Sequence, residues 1–232
     1  MKITRQVAMQ SNKDDQIIRL AAEYQLVTHQ HLVELTRRHE KAVWRSLPRL
    51  VARQLLFCRK QGMYKPNVYS TFDIRRRENF KHDLMITDIH VALKKTGMLL
   101  EWRQPRQKLK GALNEDARFE MAVPMPERTG KIAFYLEADT GVEPDWMIED
   151  KFKRYLRWRD DERFHVLFVV SEKKRAQALA RRAEKFLDKA KPSTLKLFLF
   201  TTLDEIMDDT LGSICHIAHD TVKFPIVPNL LK

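Results

Sequence analysis

Two almost wholly apolar runs, residues 164–170 and 195–200, constrain this chain more than any other feature. Strands that are apolar at every position, not at every second one, are covered on both faces, as parallel strands between helical layers are. Between the two runs, Ala176, Leu179, Ala180, Ala183, Phe186 and Leu187 recur at helical spacing. A strand, an amphipathic helix and a second strand make a crossover that links parallel neighbours. Upstream, strands are predicted at 98–103, 117–123 and 131–139, with helices at 81–96, 144–159 and 172–190. The expected class is α/β in the broad α+β sense: a mixed sheet flanked by helices.

The strand over 131–139 ends in an unusual way. Glu137 and Asp139 are two residues apart, so they share a face. They follow the apolar run Ala133-Phe134-Tyr135-Leu136, and burying ionised carboxylates is costly without a cation or hydrogen bonds. Asp116 heads the preceding strand. Neighbouring strands lie about 4.8 Å apart, so the three acids can converge on one hard divalent cation, the usual partner of clustered oxygen ligands. The plain alternative is an edge strand whose last two acids have reached solvent. On the following helix, Lys151 and Tyr155 stand one turn apart and share a face. Their ordinary alternatives are an exposed helix lysine and a tyrosine packed on the sheet.

The first third of the chain has a different character. Of 43 Lys and Arg residues, 16 fall within residues 1–80, against 7 of the 31 Asp and Glu. The excess of nine positive charges there, out of twelve in the whole chain, points to a module that faces nucleic acid. Helices are predicted at 14–23, at 28–38 with Thr28 as N-cap, and at 41–53. Strands follow at 55–59 and 67–71 around a turn containing Gly62. Three helices and a hairpin give the winged helix-turn-helix order. Lys41, Arg45, Arg49 and Arg53 recur every four residues as one stripe on the third helix, where such a fold reads a DNA groove. Pro48 lies within that helix and is expected to kink or break it. Arg75, Arg76 and Arg77 follow the hairpin as phosphate contacts or as a soluble linker. A three-helix bundle with a solvated charged face is the alternative. The expected domains are 1–75 and 80–232.

The motifs "EDARFE" (115–120), "FYLEADTG" (134–141), "KFKRY" (151–155) and "HVLFVV" (165–170) resemble the PD-(D/E)XK nuclease-like superfamily. Within it they are similar to the replication-relaxation proteins of plasmids and other mobile elements. The resemblance implies a winged helix joined to a restriction-endonuclease-like sheet. It makes Asp116 the first acid, Glu137 the second, Asp139 the residue two further on, and Lys151 the helix lysine. It implies Mg2+ or Mn2+ held by Asp116, Glu137 and Asp139, with Lys151 orienting water or screening charge. Tyr155 then serves as a hydrogen-bond donor or, in strand transfer, as a nucleophile. Two positions depart from the pattern: Glu115 stands where proline precedes the first acid, and Asp139 stands where lysine is usual. The implied activity is metal-dependent DNA nicking or relaxation in plasmid or mobile-element processing. The alternative is a non-catalytic DNA-binding accessory or regulatory protein with a degenerate nuclease-like domain.

Other classes are disfavoured. No apolar run approaches the length needed to cross a bilayer, and the N-terminal residues lack the apolar core of a signal peptide, so a cytoplasmic protein is expected. Cys58 and Cys215 are too few for a disulfide framework and are not spaced like a zinc site. His216 and His219 have helical i, i+3 spacing without a zinc-protease glutamate, and no structural zinc is expected. Expected partners are double-stranded DNA and, among proteins, a second copy or other mobile-element proteins.

Overall fold

The computed structural model describes residues 2–62, 65–74, 78–105, 115–124, 129–158, 164–187, 197–217, 220–222 and 224, with backbone alone for 2–12 and 220. The chain divides into two compact units, Met1–Val91 and Ala92–Lys232. The division falls inside helix α4 (Phe80–Lys95), which the sequence reading placed wholly in the second domain. The reason is packing: Phe80 lies in a cluster with Leu26, Val68 and Ile74, and Val91 joins the main core of the first unit.

The first unit runs α1 (Lys2–Tyr24), β1 (Val27–Thr28), α2 (His29–Thr36), α3 (Glu40–Ala52), β2 (Phe57–Arg59) and β3 (Val68–Ser70) before α4. Its strands form an antiparallel sheet in the order β1-β3-β2, which is the winged helix-turn-helix arrangement. Ile17, Ala21, Leu32, Val43, Leu47, Leu50 and Tyr69 meet in its core. Thr28 caps α2 as expected: its hydroxyl accepts from the His31 N–H at 3.1 Å, and His31 Nδ1 accepts from the Thr28 N–H at 3.2 Å. This is a capping box with histidine in place of glutamate. His31 Nε2 continues to Asp88 at 2.7 Å. Helix α1 begins well before residue 14, and the two-residue β1 is too short to show a period.

Pro48 does not break α3. Proline removes the N–H that would bond to the carbonyl four residues back, here that of Trp44. Both residues lie on the exposed side of the helix, where water can take that carbonyl.

The second unit holds β4 (Leu99–Arg103), β5 (Ala117–Pro124), β6 (Thr129–Asp139), α5 (Asp145–Trp158), β7 (Phe164–Val170), α6 (Lys173–Leu187), β8 (Phe198–Thr202), α7 (Leu203–Asp209), β9 (Cys215–Ile217) and β10 (Asp220–Val222). These strands form one seven-stranded sheet in the order β10-β9-β8-β7-β6-β5-β4. Pairing is antiparallel from β4 to β6, parallel from β6 to β8, and antiparallel again to β10. Strands β6, β7 and β8 are joined by α5 and α6, as the apolar runs required. One sheet face presents Tyr135, Val166, Phe168, Val170, Phe198 and Phe200 to Ile148, Phe152, Ala176, Leu179 and Ala183 of those helices. On the other face Trp102, Phe119, Phe134 and Phe224 stack or tilt against one another in turn.

His216 sits in β9, not on a helix, and His219 lies outside the described residues. His216 Nε2 meets both Glu205 oxygens at 3.1 and 3.2 Å, while Glu205 closes a capping box with Thr202 at the start of α7. Among the described residues no helix is long and apolar enough to cross a membrane.

Candidate functional site

β6 is interior to the sheet, flanked by β5 and β7, so its acids do not run out into solvent. Glu137 is 2% exposed and Asp139 1%. Because odd-numbered residues of β6 face α5 and α6, Tyr135, Glu137 and Asp139 look towards those helices. Helix α5 turns Ile148, Phe152 and Tyr155 inward at i, i+4 and i+7. Lys151 stands beside this inward stripe and reaches the end of β6.

The contacts are direct. Lys151 Nζ lies 2.8 Å from Glu137 Oε2 and 2.7 Å from Glu143 Oε2. The Tyr155 hydroxyl donates to Glu137 Oε1 at 2.6 Å. Asp116 precedes the Ala117–Leu136 pair of the β5–β6 ladder, which puts it across from Glu137. Its Oδ2 accepts from the Ala138 N–H at 2.8 Å. Asp139 is held separately: Oδ1 accepts from the Gly141 N–H at 2.8 Å, and Oδ2 meets Arg175 Nε of α6 at 2.5 Å. Arg175 also donates to the Glu143 carbonyl at 2.7 Å. Gly141 has φ +91, a conformation that favours glycine and lets the chain turn back onto Asp139.

Burial raises the Glu137 carboxyl to about 7; Lys151 works against the shift and nearby Asp116 adds to it. For Lys151 the order is reversed in outcome. Burial alone would lower its pKa, but the carboxylates of Glu137 and Glu143 raise it above the usual lysine range. Burial, then Glu137, pushes the Tyr155 hydroxyl well above its ordinary value. Near neutrality the site thus holds a charged lysine, a neutral tyrosine and an acid close to its midpoint.

The donor set as arranged does not fit a resident divalent ion. Mg2+ is held by one or two carboxylates in an octahedral shell that keeps several waters. Here the Glu137 oxygens carry Lys151 and Tyr155, and those of Asp139 carry Gly141 and Arg175. The place of a compensating cation is taken by an ammonium and a guanidinium. Among the described residues no three His, Cys, Asp or Glu side chains gather in a metal-holding group.

Of the five predicted site residues, Glu137, Lys151 and Tyr155 touch, Asp116 stands across from Glu137, and Asp139 belongs to a second ion pair. Sequence reasoning missed Glu143 and Arg175. Glu143 sits just before the Pro144 that opens α5, where an acid reads as an ordinary first-turn residue. Arg175 was hidden among the basic residues of α6.

On α3, Lys41, Arg45 and Arg53 are exposed. Arg49 instead reaches Asp14 Oδ2 of α1 at 2.8 Å, so that member of the stripe ties two helices together. Arg75, Arg76 and Arg77 lie outside the described residues. The histidines ahead of and on α2 and α3 have local partners: His31 caps α2, His39 Nδ1 accepts from the Lys41 N–H at 3.2 Å, and the His29 ring lies tilted against Trp44.

Fold and site together define a two-unit α+β protein in which a winged helical module accompanies a mixed sheet with a buried acid–lysine–tyrosine cluster. Residues 67–166 match the replication-relaxation family, and this segment takes in β3 to the start of β7, including Asp116, Glu137, Asp139, Lys151 and Tyr155. The resemblance carried by the sequence motifs is therefore supported, and it suggests a role in the replication processing of plasmids or other mobile elements. No curated protein and no solved structure matches the chain.

Proposed function

We propose that this protein binds duplex DNA through α3 and acts as a non-catalytic accessory or regulatory factor in plasmid or mobile-element replication or mobilisation. The observation that carries the non-catalytic part is the occupation of both β6 acids by Lys151 and Arg175, which leaves the nuclease-like position closed by the protein's own cations. The DNA-binding part rests on the winged arrangement and on Lys41, Arg45 and Arg53, exposed on its third helix.

A second reading, a Mg2+- or Mn2+-dependent nickase, has one observation in its favour. An acid raised to about 7 beside a lysine and a tyrosine is suited to proton transfer at neutral pH.

Incubating supercoiled plasmid with the protein and Mg2+ or Mn2+, beside a Glu137→Ala variant, separates the two. Duplex binding with no conversion to open circles is the expected result. Nicking that needs the metal and is lost in Glu137→Ala would establish the nickase. Duplex affinity should fall steeply with salt, and Lys41→Ala/Arg45→Ala should reduce the slope by about 2. A double variant that binds as the parent does would refute the α3 assignment.

A further inference from the structure

The outer surface of α5 and α6 carries charge that neither the sheet nor the acid cluster uses. The two helices lie side by side on one sheet face, joined by Arg182, which reaches Asp145 at 2.6 Å and Glu149 at 2.9 Å. Asp150 is paired with Arg154. These contacts use up acids of α5 on internal partners. Lys153 and Arg157 of α5, and Lys174, Arg181 and Lys185 of α6, have no ion pair among the described residues, and all five are exposed.

Their spacing organises them. Residues 174, 181 and 185 follow i, i+7, i+11, one line along a helix, and so do 146, 153 and 157. Each line is about 16 Å long at 1.5 Å per residue, and packed helices sit about 10 Å apart. The first position of the α5 line is Trp146, which is 69% exposed. Tryptophan is seldom left so open, and here it heads the line that Lys153 and Arg157 continue.

We infer that this face is a second nucleic-acid site, one that takes single-stranded DNA: the five cations follow the phosphate backbone and Trp146 offers a stacking surface to an unstacked base. Charge complementarity selects a polyanion, and the exposed indole selects one whose bases are free. In a duplex the base faces are already stacked, so Trp146 would have nothing to meet. The surface lies wholly in the second unit and does not depend on α3 or on whether the acid cluster is catalytic.

The test uses the full-length protein and a fluorescein-labelled 20-nucleotide oligo(dT), with a duplex of the same length and heparin as comparisons. In fluorescence anisotropy, Lys174→Ala/Arg181→Ala/Lys185→Ala should weaken oligo(dT) binding and lower its salt slope by about 2, since single strands give roughly 0.7 per phosphate contact. Trp146→Ala should weaken oligo(dT) binding by roughly 5- to 150-fold and leave heparin binding unchanged. Lys41→Ala/Arg45→Ala should reduce duplex binding only. Circular dichroism melts that match the parent's confirm that each variant is folded, and Trp146→Phe should retain part of the stacking if one variant is not. The inference is overturned if oligo(dT) binding survives the triple variant, or if Trp146→Ala leaves it unchanged. It is equally overturned if the triple variant weakens duplex and oligo(dT) to the same extent.

Discussion

Replacing Glu137 by Gln should change how the stability of the second unit depends on pH. The side chain is 2% exposed and its carboxyl is raised from 4.5 to about 7. Between those values the folded state holds a proton that the unfolded chain has lost, so stability falls as pH rises through the window. The contribution is complete below about 4.5 and gone above about 7. At roughly 1.4 kcal/mol per pKa unit, the loss between pH 4.5 and pH 8 comes to about 3 kcal/mol. Glutamine keeps the shape and one of the two acceptor oxygens but cannot ionise, which removes this dependence. Urea unfolding of parent and variant across that range, with hydrogen exchange of β6 and β7 amides reporting on the second unit, supplies the comparison. The stability of the parent relative to Glu137→Gln should decline by about 3 kcal/mol as the pH is raised. A difference that is flat, or that grows with pH, would mean Lys151 keeps Glu137 ionised throughout and that the burial argument fails.

Arg175→Ala strands Asp139 as an uncompensated buried charge and should cost about 3–5 kcal/mol in urea unfolding, with Arg175→Lys recovering part of it. Tyr155→Phe removes the donor to Glu137 at a cost of about 1.5–3 kcal/mol; because that bond favours the ionised acid, the upper edge of the pH window above should rise while its lower edge stays in place. Arg49→Ala should lower the thermal midpoint of the first unit through loss of the Asp14 pair, by about 1 kcal/mol, while leaving the salt slope of duplex binding unchanged. Arg45→Ala should do the reverse, and the two variants measured side by side check which cations of α3 face DNA.

The sequence made some of this legible for definite reasons. The runs at 164–170 and 195–200 each hold a single polar residue, His165 and Lys196, so parallel strands with a helical crossover followed directly. Thr28 announced the start of α2, and Gly97, at φ +71, the end of α4. What stayed hidden depends on partners distant in the chain. Nothing near Asp139 announces Arg175, and nothing near Arg49 announces Asp14, which is 35 residues away. Glu137 and Asp139 could be placed on one face from alternation alone. Whether they meet a metal or a lysine turns on where α5 and α6 lie, and that is set by packing between elements. The short β9 and β10 at the sheet edge lack the length for any period to show.

β6 pairs antiparallel with β5 and parallel with β7, so it is, with β8, one of the two strands on which the sheet changes sense. Sliding β6 by one residue would turn Glu137 and Asp139 to the opposite face, where Trp102, Phe119 and Phe224 lie, and would leave Lys151 and Arg175 facing apolar side chains. Each unpaired buried charge costs several kcal/mol, far more than the intended pairs need add to net stability. On this hypothesis the two ion pairs act as a lock on strand register. A variant with Glu137, Lys151, Asp139 and Arg175 all replaced by apolar residues of similar volume should then remain folded yet show doubled or broadened β6 amide resonances. Sharp, single resonances in such a variant would show that apolar packing alone fixes the alignment.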